Sequence, residues 1–216
     1  MKTEISIYSD VVCPWCYIGK KRLENAIEQW KVKHPDDTIQ VNWKPFELNP
    51  DISPAGEDRE AHMVKKFGSL ERIRSMTGRV TDIAKEDGLF FSNLDKGHQP
   101  NTFILHALIR KARGYGKESK LAEIFFRNFF SDGKNLSDES VLLEALREAG
   151  VPDTELSSVK EDKLLLSEIE KEEIEGRNMG VTGVPFYIFN EKYAVSGAQP
   201  SELFLEVFDR LQSEGV

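Results

Sequence analysis

The chain has 216 residues, 37 acidic against 29 basic side chains for a net charge of −8, and two cysteines. That length suffices for one large domain or two small ones whose core needs no covalent staples. Lysines and arginines are scattered among acids, which argues against nucleic acid as a partner, and no run approaches the roughly 18–20 apolar residues that cross a bilayer. With Met1 taken as the native start and no apolar leader behind it, the expected setting is soluble and cytoplasmic, without membrane contact.

The first element is a short strand. TEISIYS alternates, with Ile5 and Ile7 on one face, and runs straight into CPWC. After Cys13 the period becomes helical: Pro14 suits the first helical position, where its missing N–H costs nothing, and Tyr17, Leu23, Ala26, Ile27 and Trp30 make an apolar face that ends at the breaker HPDD. A second strand follows from Ile39, and Pro45 within it removes a ladder donor, so this strand belongs at a sheet edge. The strand–helix–strand unit puts both thiols at the carboxyl end of its first strand, where open α/β sheets place ligands.

From Ser53 to Thr154 the pattern is helical, in five amphipathic stretches, with Asn101 and Asp138 as expected N-caps and Gly114 and Gly150 as stops. Phe125, Phe126, Phe129 and Phe130 recur at helical spacing and read first as core, with a wall for unfolded peptide or a dimer face as the sharper alternative. One acidic helix is expected over 160–178, followed by strands FYIF and YAVS around a turn at Asn190 and Glu191, then a final helix. The order βαβ, helical block, αββα divides the chain into an α/β domain of residues 1–52 and 158–216 around a helical insertion, 53–157. Because the second strand runs parallel to the first, the insertion emerges at the sheet end that carries Cys13, and so can overhang it.

The cysteine pair admits dull readings. Zinc needs about four ligands, there is no second pair of thiols, and the four histidines lack ligand spacing. A structural bridge or two core cysteines fit poorly with a position at a helix start, where free backbone N–H groups and the helix dipole favour a thiolate. Cys13 is placed as nucleophile. Cys16, one turn on, is placed to attack the mixed disulfide and release the product.

The chain then resembles a known family. CPWC in a βαβ unit, with Val184-Pro185 opening a later αββα unit, resembles a thioredoxin fold with a cis-proline against the cysteines. DVVCPWCYIGKKRLE, WKPFELNPD, PNTFILHALIRKAR and GVTGVPFYIFNEKYAVSGAQP together are similar to the DsbA-like oxidoreductases of the FrnE type. The resemblance implies a protein disulfide oxidoreductase with Cys13 and Cys16 catalytic and Pro14 and Trp15 tuning them. It implies a substrate-binding loop of Thr182, Gly183, Val184 and Pro185 that pairs with an extended substrate. Asn101, Thr102 and His106 are its candidates for a substrate groove, against the plainer readings of cap and satisfied histidine. Gly197, Ala198 and Gln199 shape a turn. Partners would be cysteine-containing proteins or peptides and a small thiol reductant, with glutathione as co-substrate and no cofactor or metal; monomer and homodimer both remain open. Some FrnE-type proteins carry a second cysteine pair near the C-terminus; this chain has none, so relay to a second internal disulfide is excluded. The Pro-Trp pair is nearest in kind to the Pro-aromatic pair of glutaredoxins, at about −200 to −230 mV, which favours reductase or isomerase work over net oxidation. The alternative is a glutathione-dependent isomerase of the 2-hydroxychromene-2-carboxylate type, which shares the inserted architecture but typically has serine at the position of Cys13.

Overall fold

Alternation in Lys2–Ser9 makes a strand, β1, that buries Thr3, Ile5 and Ile7 and then, covered on both faces, Tyr8 and Ser9. The computed structural model describes residues 1–92 and 94–215 of the chain. Helix α1 (Pro14–Lys33) follows, and β2 (Thr38–Pro45) returns parallel to β1, from Lys2 opposite Thr38 to Ser9 opposite Pro45. Pro45 closes an edge strand, as its missing donor requires.

The helical block begins with β3 (Glu57–Asp58), α2 (Arg59–Phe67) and α3 (Leu70–Glu86), then β4 (His98–Gln99), which pairs antiparallel with β3. Two-residue strands have no periodicity to read, and this ribbon is absent from the sequence expectations. Helices α4 (Phe103–Ala112), α5 (Glu118–Phe130), α6 (Glu139–Ala149) and α7 (Thr154–Glu161) complete the block. Asp138 caps α6 by accepting from Ser140 N at 2.8 Å, and Gly150, at φ +82°, takes the left-handed position that ends it. Gly114 is not a stop but lies inside a 3-10 turn, Arg113–Tyr115, which tightens the end of α4; Gly116, at φ +66°, ends that turn instead. Phe125, Phe126, Phe129 and Phe130 are buried, each at most 2% exposed, and the last two also line a cavity shared with Cys13.

The expected single helix over 160–178 is two. Asp162 leaves the helical region, at ψ 81°, and its carboxylate accepts from Leu165 N at 3.0 Å, ending α7 and capping α8 (Lys163–Asn178). Then come β5 (Phe186–Phe189), β6 (Tyr193–Ser196) and α9 (Ser201–Ser213). Asn190 and Glu191, at φ +48° and +56°, are the central residues of a turn closed by Lys192 N donating to Phe189 O at 2.9 Å, within the three-residue connection between the strands. The sheet order is β2-β1-β5-β6, with β5 antiparallel to β1.

Ile5 and Ile7 stand opposite Phe189 and Tyr187, and this face packs on α9 through Phe204 and Phe208, with the Tyr187 and Phe204 rings 5.0 Å apart and nearly perpendicular. Trp30 of α1 joins it against Phe208. On the other face Tyr8, Phe46 and Val181 cluster, and α8 crosses so closely that a Cβ on Gly176 would stand 2.4 Å from the Tyr8 ring. No helix among the described residues is long and apolar enough to cross a membrane.

Candidate active site

Cys13 occupies the N-cap position of α1 in an extended conformation. Its N–H donates to Asp10 O at 3.0 Å, and its carbonyl accepts from Cys16 N at 3.0 Å and Tyr17 N at 3.4 Å. Pro14 begins the helix where no N–H is needed. The Cys13 thiol donates to the Val184 carbonyl at 3.5 Å, and the Val184–Pro185 peptide is cis. Gly197 N donates to Pro185 O at 2.8 Å, so the SGAQP turn fixes the proline from behind.

The two thiols differ in what surrounds them. Cys13 lines a cavity of about 400 Å3 with Val12, Pro14, Trp15, Gly183 and Val184, whereas Cys16 lies behind it, 2% exposed, and does not line the cavity. Burial pushes the Cys16 thiol well up, and the neighbouring Cys13 sulphur adds to the rise; Ser9 and the Asp10 backbone pull the other way. Cys16 is thus held protonated while Cys13 faces the cavity.

Asp10, fully buried just after β1, supports this arrangement. Its carboxylate accepts from Leu48 N at 2.8 Å and Val12 N at 3.4 Å, tying the segment before Cys13 to the segment after β2. His106 of α4 brings Nε2 to 3.6 Å from Asp10 Oδ1. Beside them burial pushes the Glu47 carboxyl up to about 7; His106 draws it back, Glu173 and Asp10 add to the rise, and Arg177 opposes it.

The candidates named from sequence fall into three places. Cys13, Pro14, Trp15, Gly183 and Val184 share the cavity, and Pro185 adjoins it. Thr182 and Asn101 line a separate, more open crevice with Phe46 and Glu47. In it Asn101 accepts from Phe103 N at 3.0 Å and donates to Ile52 O at 2.8 Å, while Thr102 and His106 are buried and line neither the cavity nor the crevice. Thr102 makes no side-chain capping bond, so Asn101, one residue earlier, is the side chain that serves the start of α4.

Sequence reasoning missed Asp10 and Glu47. The signal for Asp10 was an acid directly at the end of an apolar strand, three residues before the first thiol; nothing in the sequence singles out Glu47. Among the described residues no cluster of three His, Cys, Asp or Glu side chains is arranged to hold a metal ion.

A family model described as the DSBA-like thioredoxin domain matches residues 4–209. The chain is 30% identical to a probable DsbA oxidoreductase from Streptomyces coelicolor, whose structure matches with a TM-score of 0.87 over 98% of this chain and 91% of that one. A 2-hydroxychromene-2-carboxylate isomerase shares the fold at 11% identity, TM-score 0.74, over 98% of this chain and 97% of the other. So does the cytosolic disulfide reductase DsbM from Pseudomonas aeruginosa, solved with glutathione, at 17% identity, TM-score 0.65, over 96% of this chain and 99% of that one.

Proposed function

The chain belongs to the DsbA-like thioredoxin domain family, and from that premise we propose that it is a disulfide reductase or isomerase acting through Cys13 and Cys16 on protein or peptide disulfides. The observation that carries this reading is the asymmetry of the pair: only Cys13 borders the cavity, and Cys16 is buried directly behind it.

In the reductive direction the Cys13 thiolate attacks one sulphur of the substrate disulfide. A Cys13–S bond forms, and the second substrate sulphur leaves as a thiolate that takes a proton from water. Cys16 then loses its proton and attacks Cys13 Sγ, giving the Cys13–Cys16 disulfide and the second product thiol. Two electrons have passed from the protein to the substrate, and a small thiol of the glutathione class restores the dithiol. The resemblance of fold to a cytosolic reductase solved with glutathione supports that donor and a cytoplasmic setting.

An extended substrate would run along Thr182–Val184, from the cavity at Cys13 to the crevice that Asn101 and Thr182 line. A glutathione-dependent isomerase would have no use for a resolving thiol behind the first. Reduction of insulin by glutathione, with and without the protein, tests the reading; acceleration lost in Cys13→Ser supports it, and an equal rate without the protein refutes it.

A further inference from the structure

The walls of the Cys13 cavity say more about the substrate than the thiols do. Opposite Cys13 they are apolar: Phe67 of α2, Met76 and Val80 of α3, and Phe129 of α5. Its volume, about 400 Å3, lies within the range of roughly 300–1,000 Å3 typical of small-molecule sites. Cys13 is 4% exposed, so a small disulfide or a flexible peptide strand reaches its sulphur more readily than a disulfide held in a rigid folded protein.

Charge narrows the class further. The chain carries more acids than bases, yet no carboxylate is among the described residues that line this cavity, while Arg59, His62 and Lys66 all line it. Arg59 is buried against the Phe129 ring at 3.5 Å and donates to His98 O at 3.2 Å; burial lowers its guanidinium to about 10 while nearby Asp95 draws it back up, so it is charged at neutral pH and already faces an acid. His62 is matched by Glu57 at 2.6 Å. Lys66, at the rim, donates to neutral acceptors among the described residues, Asn49 Oδ1 at 2.5 Å and Leu48 O at 3.4 Å. An apolar chamber with Lys66 at its rim and no acid among its described lining residues is complementary to an apolar anion.

We infer that the cavity holds the apolar, carboxylate-bearing half of a low-molecular-weight disulfide, positioned for attack by Cys13. This rests on the oxidoreductase reading and narrows its substrate class. Cys13 bonds to the sulphur of the half in the cavity, the other half leaves as a thiolate past Gly183 and Val184 and is protonated, and Cys16 then releases the bound half as a thiol. The protein dithiol is oxidised, the disulfide is reduced, and two thiols of the glutathione class, leaving as their own disulfide, supply the two electrons of the next cycle.

Three probes separate size, polarity and charge: 5,5′-dithiobis(2-nitrobenzoate), aromatic and anionic; 4,4′-dithiodipyridine, aromatic and uncharged; and bis(2-hydroxyethyl) disulfide, aliphatic and uncharged. Each kcat/KM is divided by the rate of the same disulfide with free glutathione, which removes intrinsic reactivity. The normalised values should rank in the order given. Lys66→Glu should lower the nitrobenzoate value about ten-fold and the dipyridyl value far less. Val80→Trp, which fills the chamber, should lower both aromatic values, and a thermal melt checks its folding; Lys66→Glu, on an exposed side chain, keeps the test valid if it fails that check. Equal normalised values that neither folded variant moves would overturn the cavity assignment while leaving the redox reading intact. If the wild type reduces no disulfide, the redox reading fails, and calorimetry of 5-thio-2-nitrobenzoate with Cys13→Ser decides the cavity by itself: binding weakened by Lys66→Glu supports it, and no binding overturns it.

Discussion

The Cys13 thiol and the Val184 carbonyl oxygen are 3.5 Å apart and share a hydrogen bond, so the end of α1 that carries the proposed nucleophile is tied to the loop proposed to pair with substrate. Burial distinguishes the two thiols: Cys13 borders the cavity and Cys16 does not, and burial raises the Cys16 thiol.

Alkylation should therefore discriminate. Iodoacetamide near neutral pH should label Cys13 well before Cys16, as read by mass spectrometry of the quenched protein. Cys13→Ser should abolish insulin reduction, and Cys16→Ser should accumulate a mixed disulfide at Cys13. Faster labelling of Cys16 would reverse the roles.

The direction of electron flow is open to measurement against glutathione buffers. The Pro14-Trp15 pair should place the potential at about −200 to −230 mV, leaving the dithiol mainly reduced in a reducing cytosol. A value near about −120 mV, that of a strong oxidant, would contradict the reductase and isomerase assignment.

Glu47 gives a pH signature. Its folded-state carboxyl, raised to about 7 from an ordinary 4.5, binds its proton more tightly than the unfolded chain does. The stability this provides is complete below about pH 4.5 and is lost as pH rises through about 7. Glu47→Gln is neutral throughout, so its melting temperature minus that of the native protein should grow between pH 4.5 and 8, by ~2–8 °C. A difference that does not change with pH would show that the carboxyl ionises normally.

Gly19 and Tyr187 form a packing pair. A Cβ on Gly19 would stand 2.2 Å from the Tyr187 hydroxyl, 3.1 Å from Pro185 Cγ and 3.3 Å from Ala198 Cα. Gly19→Ala should therefore destabilise by about 1–3 kcal/mol despite the helix propensity of alanine. The Tyr187 hydroxyl is fully buried and has no hydrogen-bond partner among the described residues. Removing it in Tyr187→Phe should be neutral or stabilising by up to about 1 kcal/mol, and should recover part of the Gly19→Ala loss. Urea melts of the four proteins check this; a Gly19→Ala protein as stable as the native one would refute the clash.

What the sequence made legible was local or periodic. The alternation around Ile5 and Ile7, the Asp138 and Gly150 ends of α6, and the position of Cys13 and Pro14 at a helix start all depend on neighbours within a few residues, and the structure has the same features. The break at Asp162 was hidden because an acid in an acidic helix reads as solvated surface. The pairing of Asp10 with His106 and the contact of Gly19 with Tyr187 join residues far apart in sequence, and no periodicity encodes them. Asn101, expected as the N-cap, stands one residue before that position and reaches Phe103 N from there, and the sequence could not show that its amide also reaches back to Ile52.

The strand order has a consequence for synthesis. β1 pairs on one side with β2, made almost at once, and on the other with β5, so that Ile5 finds Val41 early and Phe189 only near the end of the chain. Until residues 186–189 leave the ribosome, one side of β1 presents free N–H and C=O groups, an open template for foreign strands. Helices of the insertion depend on closer neighbours and can fold during this wait. A chain that stops before Phe186 would carry both thiols on a sheet with an unsealed edge, so premature termination should yield aggregates rather than a smaller folded protein.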